Sequence, residues 1–198
     1  MSHDDRSPTT ATRPKRADAR RNEVVLLDAA GAVFVRSGVE APIRDIAAEA
    51  GVGTATIYRH FPTRADLILA VYHHQVEALA EAGAAALTES THPHASLGRW
   101  FEQFVDFLVT KHGLAAVLQS DDPCYDPLHS YFLERIVPVC AQLLDAAATA
   151  GEIHPGQDPY ELMRGVASLC AGVGTTHQYQ YNARRLTGIL IAGLHRSA

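Results

Sequence analysis

At 198 residues, with a formal charge of −5, 47% hydrophobic and 20% charged residues, the chain has the composition of a globular protein able to bury a sizeable apolar core. Breakers such as Gly113, Pro123, Pro138, Gly151 and Gly172 stop every apolar stretch short of the roughly 20 residues that span a bilayer. The polar segment Met1–Ala17 has no apolar run of the secretory kind, so a cytoplasmic protein with no membrane partner is expected. Cys124, Cys140 and Cys170 are odd in number and widely spaced, which argues against a disulfide framework or a paired CxxC metal site and for reduced packing residues.

The net charge hides an asymmetry. Residues 1–64 hold ten Lys and Arg against eight Asp and Glu, whereas residues 65–198 hold seven against fourteen. The basic residues bunch further at Arg13, Lys15, Arg16, Arg20 and Arg21, which suits an arm that seeks phosphate. Residues 1–18 mix Ser, Thr, Pro, Asp and Arg without an apolar period and are expected to be a flexible basic arm.

From Ala19 the pattern becomes helical. Leu26, Ala29, Ala30, Val33 and Phe34 share a face, and Gly38 follows a helix expected over Ala19–Arg36. Pro42, tolerated at the first helical position, opens a short second helix over Ile43–Ala50, with Asp45 in its first turn and Gly51 as its stop. A third helix of about two turns, Thr54–His60, ends before Pro62. Thr63 and Asp66 then read as a capping box that opens a long fourth helix over Arg64–Leu87, with Leu67, Val71, Val76 and Leu79 on its apolar face. Further helices are expected near Ser96–Lys111, Gly113–Gln119, Pro127–Ala150, Pro159–Gly174 and Asn182–His195, and no stretch alternates long enough to make a strand. The expected fold class is all-α.

The second and third helices, joined through Gly51, Val52 and Gly53, have the form of a helix-turn-helix. Ala47 and Gly51 leave room at the turn, and Val52 and Ile57 fill the space between the helices. Thr54, Ala55, Thr56, Tyr58, Arg59 and His60 are left for the outward side, which is short-chained at its start, as entry into a major groove requires.

In this region the chain resembles the TetR family of regulators. The likeness lies in LLDAAGAVFVRSG followed by IRDIAAEAGVGTATIYRHFPTRADLILAV, with Ala30, Phe34, Gly38, Ile46, Ala47, Gly51, Val52, Tyr58, Phe61 and Leu67 at the family's spacing over roughly residues 24–71. The resemblance implies an N-terminal helix-turn-helix domain (residues 19–66) and a helical effector-binding and dimerisation domain (residues 67–198). It implies base-edge contacts from Thr54, Thr56 and Arg44, and phosphate contacts from Tyr58 and His60. Arg64, where the family usually has Lys, is implied as a further phosphate contact, and Arg16 and Arg20 would lie along the adjacent groove or backbone. Ala41-Pro42 departs from the pattern, because the family commonly places a capping Ser or Thr there and its phosphate contact is lost.

For the C-terminal two-thirds the resemblance implies dimerisation through the last two helices. The apolar stripes Leu162, Val166, Leu169, Val173 and Leu186, Ile189, Leu190, Leu194 agree with it, and Gly165, Ala171, Gly172 and Gly193 permit close approach. An aromatic-rich stretch precedes them, and the candidate effector-pocket residues are Trp100, Phe104, Phe107, Cys124, Tyr131 and Met163. His73 and His74 are adjacent on a helix and face different directions, none of His73, His74, His112 and His129 stands at HxxxH spacing, and Asp121, Asp122, Cys124 and His129 form no recognisable catalytic motif. No metal, cofactor or catalytic residue is therefore expected. The functional expectation is a repressor whose homodimer binds a palindromic operator in double-stranded DNA and is released by a small apolar effector. The alternatives are a DNA-binding regulator that is constitutive or gated by a protein partner and, more remotely, an enzyme.

Overall fold

The computed structural model describes residues 13–89, 91–113, 127–170 and 182–196, with side chains described over 21–88, 91–108, 127–170 and 182–196, and among the described residues eight helices follow one another. They are α1 (Arg13–Ser37), α2 (Ile43–Ala50), α3 (Thr54–His60), α4 (Arg64–Glu89), α5 (Pro93–Gly113), α6 (Pro127–Thr149), α7 (Pro159–Cys170) and α8 (Ala183–Ala192). Among the described residues the only β element is an isolated antiparallel bridge between Ile153 and His195. The fold is all-α, as the sequence leads one to expect. The expected helix at Gly113–Gln119, apart from Gly113 itself, and the end of the one expected to reach Gly174 lie outside the described residues.

Two boundaries differ from expectation. α1 begins at Arg13, six residues before Ala19, so Arg16 and Arg20 sit on helical backbone and the basic segment is not wholly a flexible arm. Arg, Lys and Ala are strong helix formers and Pro14 is tolerated in a first turn, so a helix can extend here without an apolar face to guide it. α8 stops at Ala192 rather than His195. Leu194 N–H donates to the Ile191 carbonyl and His195 N–H to Ala192, both at 3.1 Å, which tightens the chain into a turn. Arg196 N–H then reaches Glu152 O at 2.8 Å, a long-range pairing with no local sequence signal.

Among the described residues one apolar cluster joins the helices. The expected face of α1 is buried, with Ala30, Val33 and Phe34 fully enclosed, and so are Leu67, Val71, Val76 and Leu79 of α4. α1 packs on α2, α4 and α5, α4 and α6 pack on each other and on α5, and α8 packs on α5 and α7. The centre of the body is aromatic. Trp100 stacks on Phe104 with ring centroids 5.9 Å apart, and Phe107 stacks on Phe132 at 5.3 Å.

Gly83 makes this centre possible. The Trp100 indole N–H donates to the Leu79 carbonyl at 3.0 Å, a group already inside α4. A Cβ on Gly83 would stand 3.0 Å from that indole nitrogen and 2.2 Å from Val139 Cγ1, so only a residue without a side chain lets α6 and Trp100 close on α4.

Candidate nucleic-acid interface

α2 is short and amphipathic, and it holds its place through Ile46 and Ala47, both buried. Pro42 precedes it with φ −58° and ψ 138° and offers no side-chain cap. Its other end closes on Gly51 at φ 67°, a left-handed conformation that costs a residue with a Cβ roughly 1–2 kcal/mol. There Val52 N–H donates to Ala47 O at 3.0 Å and Gly51 N–H to Ala48 O at 3.3 Å, the paired bonds that satisfy the last carbonyls of a helix. This geometry aims the chain into α3.

α3 is anchored by one side chain, Ile57, which is fully buried, and by Phe61 immediately after it. Because Ile57 points inward, Thr54, Ala55, Tyr58, Arg59 and His60 are exposed and Thr56 is half-buried. Tyr58 keeps 53% of its surface in solvent. Arg44 is also exposed on α2 and lies 3.5 Å from Asp45. The structure thus brings Arg44, Thr54, Ala55, Thr56, Tyr58, Arg59 and His60 into one small α2–α3 unit. The side chains of Arg16 and Arg20 lie outside the described residues.

Three contacts that local sequence reading misses tie α1, α2 and α4 together around this unit. Arg36 at the end of α1 pairs with Glu49 of α2 at 2.9 Å. His74 Nε2 of α4 lies 2.8 Å from Asp28 Oδ1 of α1. Arg64 donates from one guanidinium nitrogen to the Val39 carbonyl and from the other to the Ala41 carbonyl at 2.9 Å. These partners lie 13 to 46 residues apart in the chain, and no short-range pattern announces them. The Thr63–Asp66 box that starts α4 was legible and is formed. Thr63 N–H and hydroxyl both donate to Asp66 Oδ2, at 2.9 and 2.7 Å, and the Thr63 bonds hold the Asp66 carboxyl below its ordinary pKa.

The two adjacent histidines of α4 point apart, as neighbouring positions on a helix must. His74 faces Asp28, while His73 packs edge-on against Tyr131 at 4.3 Å. Among the described residues no group of three metal-ligating side chains gathers.

Of the expected effector-pocket residues, Trp100 and Phe104 are enclosed in the aromatic stack and Met163 is buried on α7. Tyr131 is half-buried and donates its hydroxyl to Glu77, which Arg135 also grips through Nε at 2.7 Å. Cys124 lies outside the described residues. Phe107 lines an open groove of about 220 Å³ between α4 and α5, with Gln75, Ala78, Leu79, Gln103 and Asp106 as its other walls. Arg184 of α8 pairs with Asp106 at its edge. Cys140 and Cys170 are free and buried, and burial pushes the Cys140 thiol up to about 12.

At the end of the chain Ile189 and Leu190 stand 58% and 37% exposed on α8. Leu162, Leu169, Leu186 and Leu194 are half-buried, Val166 is fully buried within its own chain, and Val173 lies outside the described residues. Open space lies over both Gly165 and Gly188.

The comparisons agree with this geometry. A family model described as bacterial regulatory proteins of the tetR family matches residues 26–71, and one described as the C-terminal domain of SbtR-like transcriptional regulators matches residues 92–196. A TetR transcriptional regulator of Streptomyces coelicolor is 33% identical, covering 89% of this chain and 99% of its own, with a TM-score of 0.76. The transcriptional regulator FadR of Bacillus subtilis, solved in complex with stearoyl-CoA, shares the fold at 20% identity and a TM-score of 0.60, over 86% of this chain and 96% of its own. The HTH-type transcriptional activator FasR of Mycolicibacterium smegmatis is 38% identical over 106 residues, which span 52% of this chain and only 48% of FasR. With one model covering more than half of the chain and a relative matched along nearly its whole length, the protein belongs to the TetR family of bacterial transcriptional regulators.

Proposed function

We propose that the protein is a homodimeric, operator-binding regulator whose α3 reads base edges in the major groove and whose helical body senses a small effector. The observation that carries this reading is the uncovered edge of α3, where Ile57 and Phe61 bind the helix to the core and the remaining side chains are left short, polar or cationic. Thr54, Thr56 and Arg44 are the base readers in this scheme, with Ala55 able to touch a thymine methyl. Tyr58, Arg59 and His60 hold phosphates, joined by Arg16 and Arg20 from α1.

The α7–α8 face is the dimer face in this scheme. Two exposed apolar side chains beside two glycines with open space above them suit close helix packing against a second copy, while Val166 serves its own chain's core. Two copies present two readers to a palindrome, which multiplies a specificity that one short helix lacks. The domain division follows the same scheme: a reader ending near residue 66 and, from residue 67, an effector-binding and dimerisation body.

The groove between α4 and α5 is the place for the effector. Its walls combine Leu79 and Phe107 with two amides and a carboxylate, and α4 runs from it to the reader. A ligand that prefers one position of α4 changes the spacing of the two α3 helices. Release from an operator that overlaps a promoter makes such a protein a repressor. The same binding event upstream of a promoter would activate, which is the sign in the name of FasR.

The test is fluorescence anisotropy on a palindromic duplex from upstream of the protein's own coding region. Tyr58→Phe is expected to weaken binding to every sequence alike. Thr56→Ala is expected to relax preference at one base pair, by about 1–3 kcal/mol. Equal, uniform losses from both variants would refute the assignment of reader and phosphate roles.

A further inference from the structure

We infer that Arg64 is a positioning residue, a brace through which α4 holds the entrance of α2, rather than the phosphate contact that its place in the family pattern suggests. Its two terminal guanidinium nitrogens are turned inward. One donates to the carbonyl of Val39 and the other to that of Ala41, in the turn between α1 and α2. Both carbonyls belong to residues whose side chains are packed away, Val39 at 6% and Ala41 at 3% exposure. The guanidinium itself is only partly buried, so it reaches into the turn from the side of α4.

The reason this turn needs a brace is in the sequence beside it. Pro42 gives α2 a suitable backbone start but no side-chain acceptor, so the entrance of α2 lacks the tie that a Ser or Thr would supply. The turn's own bonds are Ala41 N–H to Gly38 O at 3.2 Å and Asp45 N–H to Pro42 O at 2.9 Å. Arg64 adds two charge-assisted bonds across 25 and 23 residues of chain, and a rigid fork is the side chain suited to holding two carbonyls at once. The capping box at Thr63 and Asp66 fixes the first turn of α4, from which Arg64 projects, and engages the nearby carboxylate.

The brace has a mechanical consequence. Leu79 in the groove lies fifteen residues along α4 from Arg64, roughly 22 Å on a straight helix. A displacement of α4 at the groove is delivered through Arg64 to the start of α2, and through the Gly51 turn to α3. This step rests on the reading of α3 as the operator reader, whereas the brace itself does not.

Two variants and two measurements decide it. In Arg64→Lys and Arg64→Gln, operator affinity should fall in both, by roughly 10-fold, with the slope of log affinity against log salt unchanged from wild type. Hydrogen exchange of the amides of residues 43–46, measured without DNA, should quicken in both variants while those of α5 and α6 do not change. A phosphate contact gives the opposite pattern. Arg64→Lys would then bind like wild type, Arg64→Gln would lose about one unit of salt slope, and exchange in α2 would stay at the wild-type rate. Either that pattern or unchanged exchange in α2 would overturn the brace. Should the wild-type protein ignore the duplex, the operator reading fails, and the exchange measurement still decides the brace.

Discussion

In the body formed by α4, α5 and α6, rings stack in series from Trp100 through Phe104 and Phe107 to Phe132, and all four are buried. In the α2–α3 unit, Ile46 and Ile57 are the large fully buried side chains, helped by a left-handed glycine and by Arg64 from outside. The difference separates stability from reading. Phe104 alone meets Trp100, Phe101, Phe107 and Phe132, whereas α3 is held by Ile57, Phe61 and the turn at Gly51. Under the function proposed above, this contrast would let α3 answer a displacement of α4 without loss of the body's packing.

Trp100→Ala should give the largest effect and marks one side of the contrast. It removes a ring 1% exposed, its stack on Phe104 and its bond to Leu79 O, with an expected loss of about 3–5 kcal/mol of stability. Urea unfolding measures that loss. Operator binding should fall only in proportion to the fraction unfolded, and a folded Trp100→Ala protein that had lost its affinity would break the division drawn here.

Gly51→Ala lies on the other side and should cost less stability, about 1–2 kcal/mol, because open space surrounds the new Cβ and only the left-handed backbone is strained. Its effect on operator affinity should exceed what the unfolded fraction accounts for, since relief of that strain turns α3 away from its axis. Thermal melting and anisotropy on the same samples compare the two. Matched losses in both would show that α3 is held as redundantly as the body.

How much of this was legible in the sequence follows the same division. The reader is built from signals a few residues long. Pro42, Gly51 and Pro62 mark its breaks, Thr63 with Asp66 marks the start of α4, and the bounds of α2 and α3 match those expected from sequence. The apolar faces of α1 and α4 follow from a period of 3.6 residues. What stayed hidden are pairings across distance: Arg64 with the α1–α2 turn, His74 with Asp28, and Arg196 with Glu152. The start of α1 was missed for another reason, since its first turns are helical by propensity and carry no apolar stripe to show it. The aromatic stretch was legible as a cluster, but which rings fill the core and which line a groove depends on how three helices pack.

Glu77 gives the smallest expected effect and tests whether polar atoms share in holding the body. Its carboxylate is pulled down to about 2, first by the bonds from Arg135, then by the Tyr131 hydroxyl. A folded value below the ordinary 4.5 means that the stabilisation is complete above pH 4.5 and fades as the pH falls toward 2, because the unfolded chain takes up the proton first. The Glu77 side chain is 37% exposed, so solvent screens much of the attraction, and a melting difference of only about 1–3 °C between wild type and Glu77→Gln is expected near neutral pH. That difference should shrink through the window from pH 4.5 to 2 and leave operator affinity at neutral pH within about twofold. A gap that persisted unchanged at pH 2 would mean the variant acts through packing, and the tie between α4 and α6 would then owe nothing to the charge on Glu77.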